Sequence, residues 1–496
     1  MAEARIMPGV RYATVFYRPR SDAPAERRQL IAGAGAVHQS RLHGDLPAAM
    51  TIPIERLNDL KAFAWMQIVE VDSGPMSFPA GQPASLVEAR AASMTQTVPW
   101  GLLNIGADVV HSSLGNRGAG IKIAVLDQGA QPNHPDLNVA GCYDTFTASS
   151  NCVLDGRHGT RVAGVATALD NTYGSLGIAP GASLYSVRVC VPGSCPESAV
   201  YDGLLWAAAN GMKVVNISLG SCGGSVALWT QAVLNGLAGG GILVVAAAGN
   251  GVYTDPTPCS PWDDVSKFAS ADNTIAVAAY GTNLLPKPGY QYGSAIDFAA
   301  PTDVIVPDSG STYNSIGGTS GATPHVAGAL ALMLAADFPP SVIYARLVET
   351  AFQPGTPPRN DFYGWGPIRV GTAIVAKPRA DYITWCTGTA ITTPGNCSIT
   401  AATANGIAPI QVKFEVSRSD QPGTTLYGWG SASRIIPIGA GDYTLTIKAT
   451  PREQTYLRVG YHTIQEIPVC TGDDLHTQPG GSTNLVPGGC GGGEEQ

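Results

Sequence analysis

Apolar and polar positions alternate along the chain in three different ways. Residues 12–17 are apolar and rich in β-prone side chains, 23–33 repeat at helical spacing, and 37–41 are extended. Residues 48–52 then read as a strand, 54–64 as a helix and 66–71 as a strand. This β-α-β-β-α-β order predicts a small ferredoxin-like α+β domain over residues 1–75. Pro, Gly, Ala and Ser crowd residues 73–95 without a sustained period, so 76–95 is predicted to be a linker.

From 96 to 379 the pattern changes. Apolar runs at 121–126, 184–189, 214–217, 242–248 and 275–279 read as buried strands. Helical patterns at 158–169, 198–210, 226–237 and 320–336 lie between or after them. Strands alternating with helices predict an α/β domain with a parallel sheet flanked by helices, whose ligands gather at the carboxyl ends of the strands. Beyond 380 only strand patterns remain, at 410–416, 424–429, 443–449 and 455–461, separated by Gly, Pro and Asp turns. A small all-β, sandwich-like domain is predicted over 380–469. The stretch 470–496 is a Gly-rich polar tail.

Composition narrows the partners. Of 496 residues 44% are hydrophobic, enough for more than one core, and the net charge is −8 with only 13% charged residues. No basic surface is offered to nucleic acid or anionic lipid, and no apolar run reaches the roughly 18 residues of a membrane span. The first ten residues contain Glu3, Arg5 and Pro8 where a secretory signal needs an apolar core, so a signal peptide is not present in this sequence. Yet the ten cysteines fall into local couples, Cys142/Cys152, Cys190/Cys195, Cys386/Cys397 and Cys470/Cys490, with Cys222 and Cys259 left over. None of the couples has paired C-x-x-C zinc spacing, which favours disulfides and an oxidising, extracellular compartment.

Three motifs in the α/β region hold the residues of a nucleophilic hydrolase. Asp127 ends an apolar strand in Leu126-Asp127-Gln128-Gly129, His158 opens a helix in His158-Gly159-Thr160, and Ser320 opens another in Gly318-Thr319-Ser320-Gly321-Ala322-Thr323-Pro324. A serine hydroxyl needs an imidazole to take its proton, and the imidazole needs a carboxylate to fix its tautomer. Asn250 ends the buried run Ala246-Ala247-Ala248-Gly249-Asn250, where its amide could join the Ser320 N–H in holding an oxyanion.

These motifs, in the order Asp, His, Ser, resemble those of the subtilisin-like serine proteases. The resemblance covers about 370 residues and implies a serine endopeptidase acting on proteins and peptides with no organic cofactor. It likens residues 1–75 to the family's inhibitory propeptide, the chain's own folding template and inhibitor. The mature enzyme then starts near Gln96-Thr97-Val98-Pro99-Trp100-Gly101, after autoprocessing in the linker, with the cut placed after Met94. Ser218, Leu219 and Gly220 are implied to pair with substrate backbone as an added strand.

The resemblance also implies a structural calcium ion, held by the side chains of Gln96, Asp136 and Asn171 and the carbonyls of Leu169, Tyr173 and Ser175. It sets Cys222 and Cys259 beside the primary specificity pocket, where they are expected to pair. Arg161 and Gly321 depart from the family pattern, which often has His and Met there. His325, one turn past Ser320, reads as a packed helix residue, His134 as a loop-shaping one, and Asp255, Asp263 and Asp264 as a solvated loop. The whole is expected to be a secreted, monomeric zymogen. The alternative is a catalytically spent binding or adhesion scaffold that acts through its C-terminal β domain; a third reading keeps the chemistry for esters or one dedicated target.

Overall fold

A computed structural model describes residues 10–19, 36–40, 45–62, 66–72, 78–79, 89–90, 95–251, 265–287, 289–352 and 359–375, and strand backbone between 379 and 469. It forms two compact units, Met1–Val375 and Ala376–Gln496. The second therefore begins four residues before the boundary expected at 380.

The first unit opens with four strands, β1 (Tyr12–Pro19), β2 (His38–Gln39), β3 (Ala48–Pro53) and β4 (Met66–Asp72), in the antiparallel order β2-β3-β1-β4. A 3₁₀ helix, Ile54–Ala62, stands where a helix was predicted over 54–64. The helix expected at 23–33 lies outside the described residues. β3 is buried along its whole length because both faces are covered. Met50 and Ile52 pack with Val15, Tyr17, Leu60 and Met66 on one side. Ala49 and Phe16 join the large core on the other.

That second face rests on the helix Glu197–Ala209. Phe16 meets Tyr201 edge-on at 5.2 Å, the Tyr201 hydroxyl donates to the Pro47 carbonyl at 2.9 Å, and His38 Nδ1 and Thr51 Oγ1 share the Ser198 hydroxyl at 2.8 and 2.7 Å. At the sheet edge Glu70 accepts the backbone N–H groups of Leu228 and Trp229, at 2.9 and 3.4 Å. It thereby caps the helix Leu228–Gly239, whose own N-cap residue, Ala227, makes no side-chain cap bond. The N-terminal region is thus part of one unit with the α/β region rather than a separate body.

Two short strands follow, β5 (Phe78–Pro79) and β6 (Ala89–Arg90). The central sheet then comprises β7 (Lys122–Asp127), β8 (Val139–Asp144), β9 (Ser183–Arg188), β10 (Val214–Ile217), β12 (Leu243–Ala247), β13 (Thr274–Tyr280) and β14 (Phe298–Pro301). Its order is β14-β13-β12-β10-β7-β9-β8, and every pairing is parallel. The chain runs outward from β7 through β8 and β9, then returns to β10 on the other side. β7 and β10 therefore meet where the winding direction reverses, the usual place for a site. The short β11 (Leu219–Gly220) follows β10, and a hairpin of β15 (Val304–Asp308) and β16 (Thr312–Ile316) precedes the last long helix. The pattern did not single out β8, β14 or this hairpin, whose runs are short or broken by Gly, Pro and polar residues.

The helices His158–Thr167, Glu197–Ala209, Leu228–Gly239 and Gly318–Ala335 match the expected positions to within two residues at every end. Gly318–Ala335 is buried on nearly all sides, as a helix apolar all round must be. A Cβ on its Gly328 would stand 2.5 Å from the Ile178 Cβ, so only glycine allows this approach. Disulfides join Cys142 to Cys152 and Cys190 to Cys195, as their spacing suggested. Cys222 is also disulfide-bonded, while Cys259 lies outside the described residues, as do Asp255, Asp263 and Asp264.

In the second unit, β17 (Arg379–Thr384), β18 (Gly395–Ala404) and β21 (Ser433–Ile438) form one antiparallel sheet. β19 (Ile410–Arg418), β20 (Gln421–Gly430), β22 (Tyr443–Glu453) and β23 (Thr463–Val469) form another. The strand expected at 455–461 and the tail 470–496 lie outside the described residues.

Burial lowers the pKa of His38 to about 4, against the attraction of Asp202 and Asp144. Its neutral ring is the docked form, and an unfolded histidine titrates near 6.5. This site's share of stability is therefore complete above pH 6.5 and falls by up to about 3 kcal/mol as the pH drops towards 4. The melting temperature of the intact chain should fall more steeply over that range than that of His38→Asn. His325, also lowered to about 4 by burial, keeps its own share of the slope in both proteins. Parallel profiles would count against the assignment.

Candidate active site

Asp127 is the last residue of β7 and is 0% exposed. The chain must leave the strand at once, and Gly129 makes the turn at φ +88°, where a Cβ would lie 2.0 Å from the Val153 carbonyl. The Asp127 carboxylate accepts the Gln128 N–H at 2.7 Å and grips His158 Nδ1 with both oxygens, at 2.9 and 2.8 Å. His158 is the first residue of its helix, and Gly159 permits the close approach, since a Cβ there would meet the Gly129 carbonyl at 2.2 Å. The bond to Asp127 makes Nδ1 the protonated nitrogen and leaves Nε2 as the basic one.

Ser320 sits in the first turn of Gly318–Ala335 and is 0% exposed. Its hydroxyl donates to the Ser218 carbonyl at 3.1 Å, and His158 Nε2 makes no hydrogen bond among the described residues. Asp127 and His158 are thus joined, whereas the expected Ser320–His158 bond is not made in this conformer. Such bonds are often long before substrate arrives.

Asn250 follows β12. Its Oδ1 accepts both the N–H and the hydroxyl of Thr319, each at 2.9 Å, and Thr319 Oγ1 accepts the Gly249 N–H at 3.0 Å. This orients the amide so that Nδ2 lies beside the helix start, 2.6 Å from where a Cβ on Gly318 would be. Gly318 itself is held by Tyr290, whose hydroxyl accepts its N–H at 3.0 Å, and by Thr302, whose hydroxyl donates to its carbonyl at 2.7 Å. Asn216 donates to the Ser218 hydroxyl at 2.9 Å, which in turn donates to the Ser320 carbonyl at 3.1 Å. Thr319, Tyr290, Thr302 and Asn216 were not singled out from the sequence. Only Thr319 lay inside a motif that could have revealed it.

Of the expected backbone-pairing segment, Ser218 reaches Ser320, while Leu219 and Gly220 form β11. β11 pairs antiparallel with β5, Leu219 opposite Pro79 and Gly220 opposite Phe78. The chain's own linker region therefore occupies this edge.

The residues expected to hold calcium also converge. Gln96 Nε2 donates to the Leu169 carbonyl at 2.6 Å, and Asn171 Nδ2 donates to Asp136 Oδ1 at 2.8 Å. The other Asp136 oxygen accepts the Ser175 N–H at 3.1 Å and the Tyr313 hydroxyl at 3.0 Å. Tyr173 contributes its N–H to Asn171 Oδ1 at 2.9 Å. Asp136 is 0% exposed, and burial raises its pKa despite these bonds. A buried carboxylate with amide and carbonyl oxygens around it suits a hard cation, and turning the Gln96 and Asn171 amides would present oxygens in place of N–H groups.

The bland readings of two histidines match their surroundings. His134 Nδ1 accepts the Asp136 N–H at 3.1 Å and Nε2 donates to the Thr312 carbonyl at 3.2 Å, which shapes the loop. His325 donates to the Gly321 carbonyl at 2.8 Å within its own helix. Arg161 pairs with the fully buried Asp308 at 2.7 Å and so ties the His158 helix to the hairpin that leads into Ser320. Gly321 has its own constraint, because a Cβ there would lie 2.8 Å from Thr302 Oγ1.

The subtilase family model matches residues 118–366. An alkaline protease of Alkalihalobacillus alcalophilus is 43% identical over 249 residues, which cover 50% of this chain and 62% of that protein. Subtilisin NAT of Bacillus subtilis subsp. natto is 36% identical over 354 residues, 70% of this chain and 86% of that one. Subtilisin Savinase of Lederbergia lenta is 43% identical over 241 residues, 48% of this chain and 84% of that one. The match thus spans less than two thirds of the alkaline protease but most of the two subtilisins.

Replacing Asp308 by Ala would leave the mostly buried Arg161 without its carboxylate. Asp308→Ala should lose about 3 kcal/mol of stability. Chemical denaturation of variant and parent measures it, and a loss under about 1 kcal/mol would show that the tie is incidental.

Proposed function

This chain belongs to the subtilase family, and on that premise we propose that it is a secreted serine endopeptidase made as a self-inhibited precursor. The observation that carries the reading is the buried Asp127 carboxylate holding His158 Nδ1 through both oxygens. Ser320 turns its hydroxyl from the Ser218 carbonyl to His158 Nε2, which takes the proton as Ser320 Oγ attacks the substrate carbonyl. Asp127 steadies the imidazolium and its tautomer. Asn250 Nδ2 and the Ser320 N–H receive the developing oxyanion, at a helix start whose dipole favours negative charge. His158 then gives its proton to the leaving amine, and water hydrolyses the acyl-enzyme by the same route in reverse.

Substrate backbone adds to Ser218, Leu219 and Gly220 as a strand, and the N-terminal sheet docked on Glu197–Ala209 serves as the chain's own inhibitor. Secretion is supported by the disulfides Cys142–Cys152 and Cys190–Cys195. The enzyme acts as a monomer on protein and peptide substrates. A calcium ion would be held by Gln96, Asp136, Leu169, Asn171, Tyr173 and Ser175, where it would neutralise the buried carboxylate and stiffen the loop after the His158 helix.

Ser320→Ala should abolish casein hydrolysis while leaving the fold intact by circular dichroism. Asn250→Ala should lower kcat by about 100- to 1,000-fold with KM little changed, a range set by subtilisin's own oxyanion asparagine. Full activity in Ser320→Ala would sink the reading. For the cation, added calcium should raise the melting temperature of Ser320→Ala and a chelator should reverse the gain. Asp136→Asn should be insensitive to both, and an unchanged parent would mean that the loop closes on its own hydrogen bonds.

A further inference from the structure

The first turn of Gly318–Ala335 is gripped from two strand ends. Asn250 stands three residues past β12, and Thr302 follows directly on β14, the edge strand of the central sheet. Thr302 is fully buried, and its own N–H anchors it by donating to the Tyr280 carbonyl at 3.1 Å. Its hydroxyl donates to the Gly318 carbonyl at 2.7 Å. That carbonyl and the Thr319 N–H are the two ends of one planar peptide group, and the N–H donates to Asn250 Oδ1 at 2.9 Å. A backbone N–H can only donate, so this bond fixes which end of the Asn250 amide is oxygen and leaves Nδ2 as the donor.

The Thr302 hydroxyl, the Gly318–Thr319 peptide and the Asn250 amide therefore form one line of hydrogen bonds. A donor at the oxygen of a resonance-coupled amide draws charge from its nitrogen and makes the N–H at the other end a better donor. Two amides in series pass that effect from Thr302 to Asn250 Nδ2. We propose that Thr302 is a positioning residue for the oxyanion site, acting through the Gly318–Thr319 peptide to hold the direction of Asn250 Nδ2 and strengthen its donation. The proposal rests on the protease reading above, in which Nδ2 receives the developing charge.

Gly321 supports the same assignment independently. It lies within the helix and has no positive φ, so its backbone conformation does not call for glycine, and glycine weakens a helix relative to alanine. A Cβ there would stand 2.8 Å from Thr302 Oγ1 and 3.2 Å from the Ile316 carbonyl oxygen. What glycine supplies at 321 is room for the hydroxyl that bonds Gly318.

The test expresses each full chain under the same oxidising conditions and measures kcat and KM on one peptide amide substrate, with folding checked by circular dichroism. Thr302→Ala should lower kcat about three- to tenfold with KM little changed, and Thr302→Ser, which restores a hydroxyl, should regain most of the loss. In an Asn250→Ala background the same Thr302→Ala change should alter kcat by less than about 1.5-fold, because the amide through which it acts is gone. A role confined to general stability gives equal losses in both backgrounds. Equal losses, or an unchanged kcat in Thr302→Ala, overturn the proposal. If Thr302→Ala does not fold, Gly321→Ala decides: by crowding the hydroxyl it should lower kcat in the parent but not beside Asn250→Ala, and equal losses again overturn the proposal. An active parent with an unaffected Thr302→Ala removes only the role of Thr302, whereas a folded parent that does not hydrolyse the substrate removes the protease reading as well.

Discussion

A carboxylate with no exposure to water stands at the end of an apolar strand, and the architecture around it follows from that placement. Burying an unpaired charge costs several kcal/mol, so Asp127 is tolerable only with donors at both oxygens. The Gln128 N–H and the His158 ring supply them. To bring His158 there, its helix must begin against the turn after β7, which is possible only with glycine at 129 and 159. The ring is then immobile and of one tautomer before any substrate arrives.

The second half of the site depends on a different constraint, the packing of an all-round apolar helix through the middle of the fold. Gly318–Ala335 is drawn in by burial and admitted by Gly328, and its start is fixed by Tyr290, Thr302 and Asn250. Ser320 is thus placed by backbone hydrogen bonds rather than by contacts of its own side chain. The Arg161–Asp308 pair joins the two halves by linking the His158 helix to the hairpin before Ser320.

How much of this was legible follows from where each signal resides. Asp127, His158, Asn250 and Ser320 lie in short motifs whose neighbours are small for steric reasons, and the strands leading to Asp127 and Asn250 are mostly apolar runs. Both can be read along the chain. Tyr290, Thr302 and Asn216 act through single hydrogen bonds to residues distant in sequence, and nothing in their own neighbourhoods marks them. β8 and β14 escaped notice because a strand's place in a sheet comes from its partners, and Val139–Asp144 carries a glycine and a charged end. The N-terminal sheet was readable as strands, but its union with the α/β region was not. The burial of both faces of β3 reveals that union, since an isolated domain of that size would leave one face wet.

Glu70 makes that union more than adhesion. Its two oxygens complete the start of Leu228–Gly239, a helix with no side-chain cap of its own. The helix therefore borrows a structural part from a segment outside the α/β core. Whatever separates the two also hydrates the N–H groups of Leu228 and Trp229 and uncovers the positive end of a helix dipole on the surface that the N-terminal sheet had covered. Separation is in that sense a chemical change to the body left behind: it gains an electropositive helix end, complementary to any carboxylate that takes the place of Glu70.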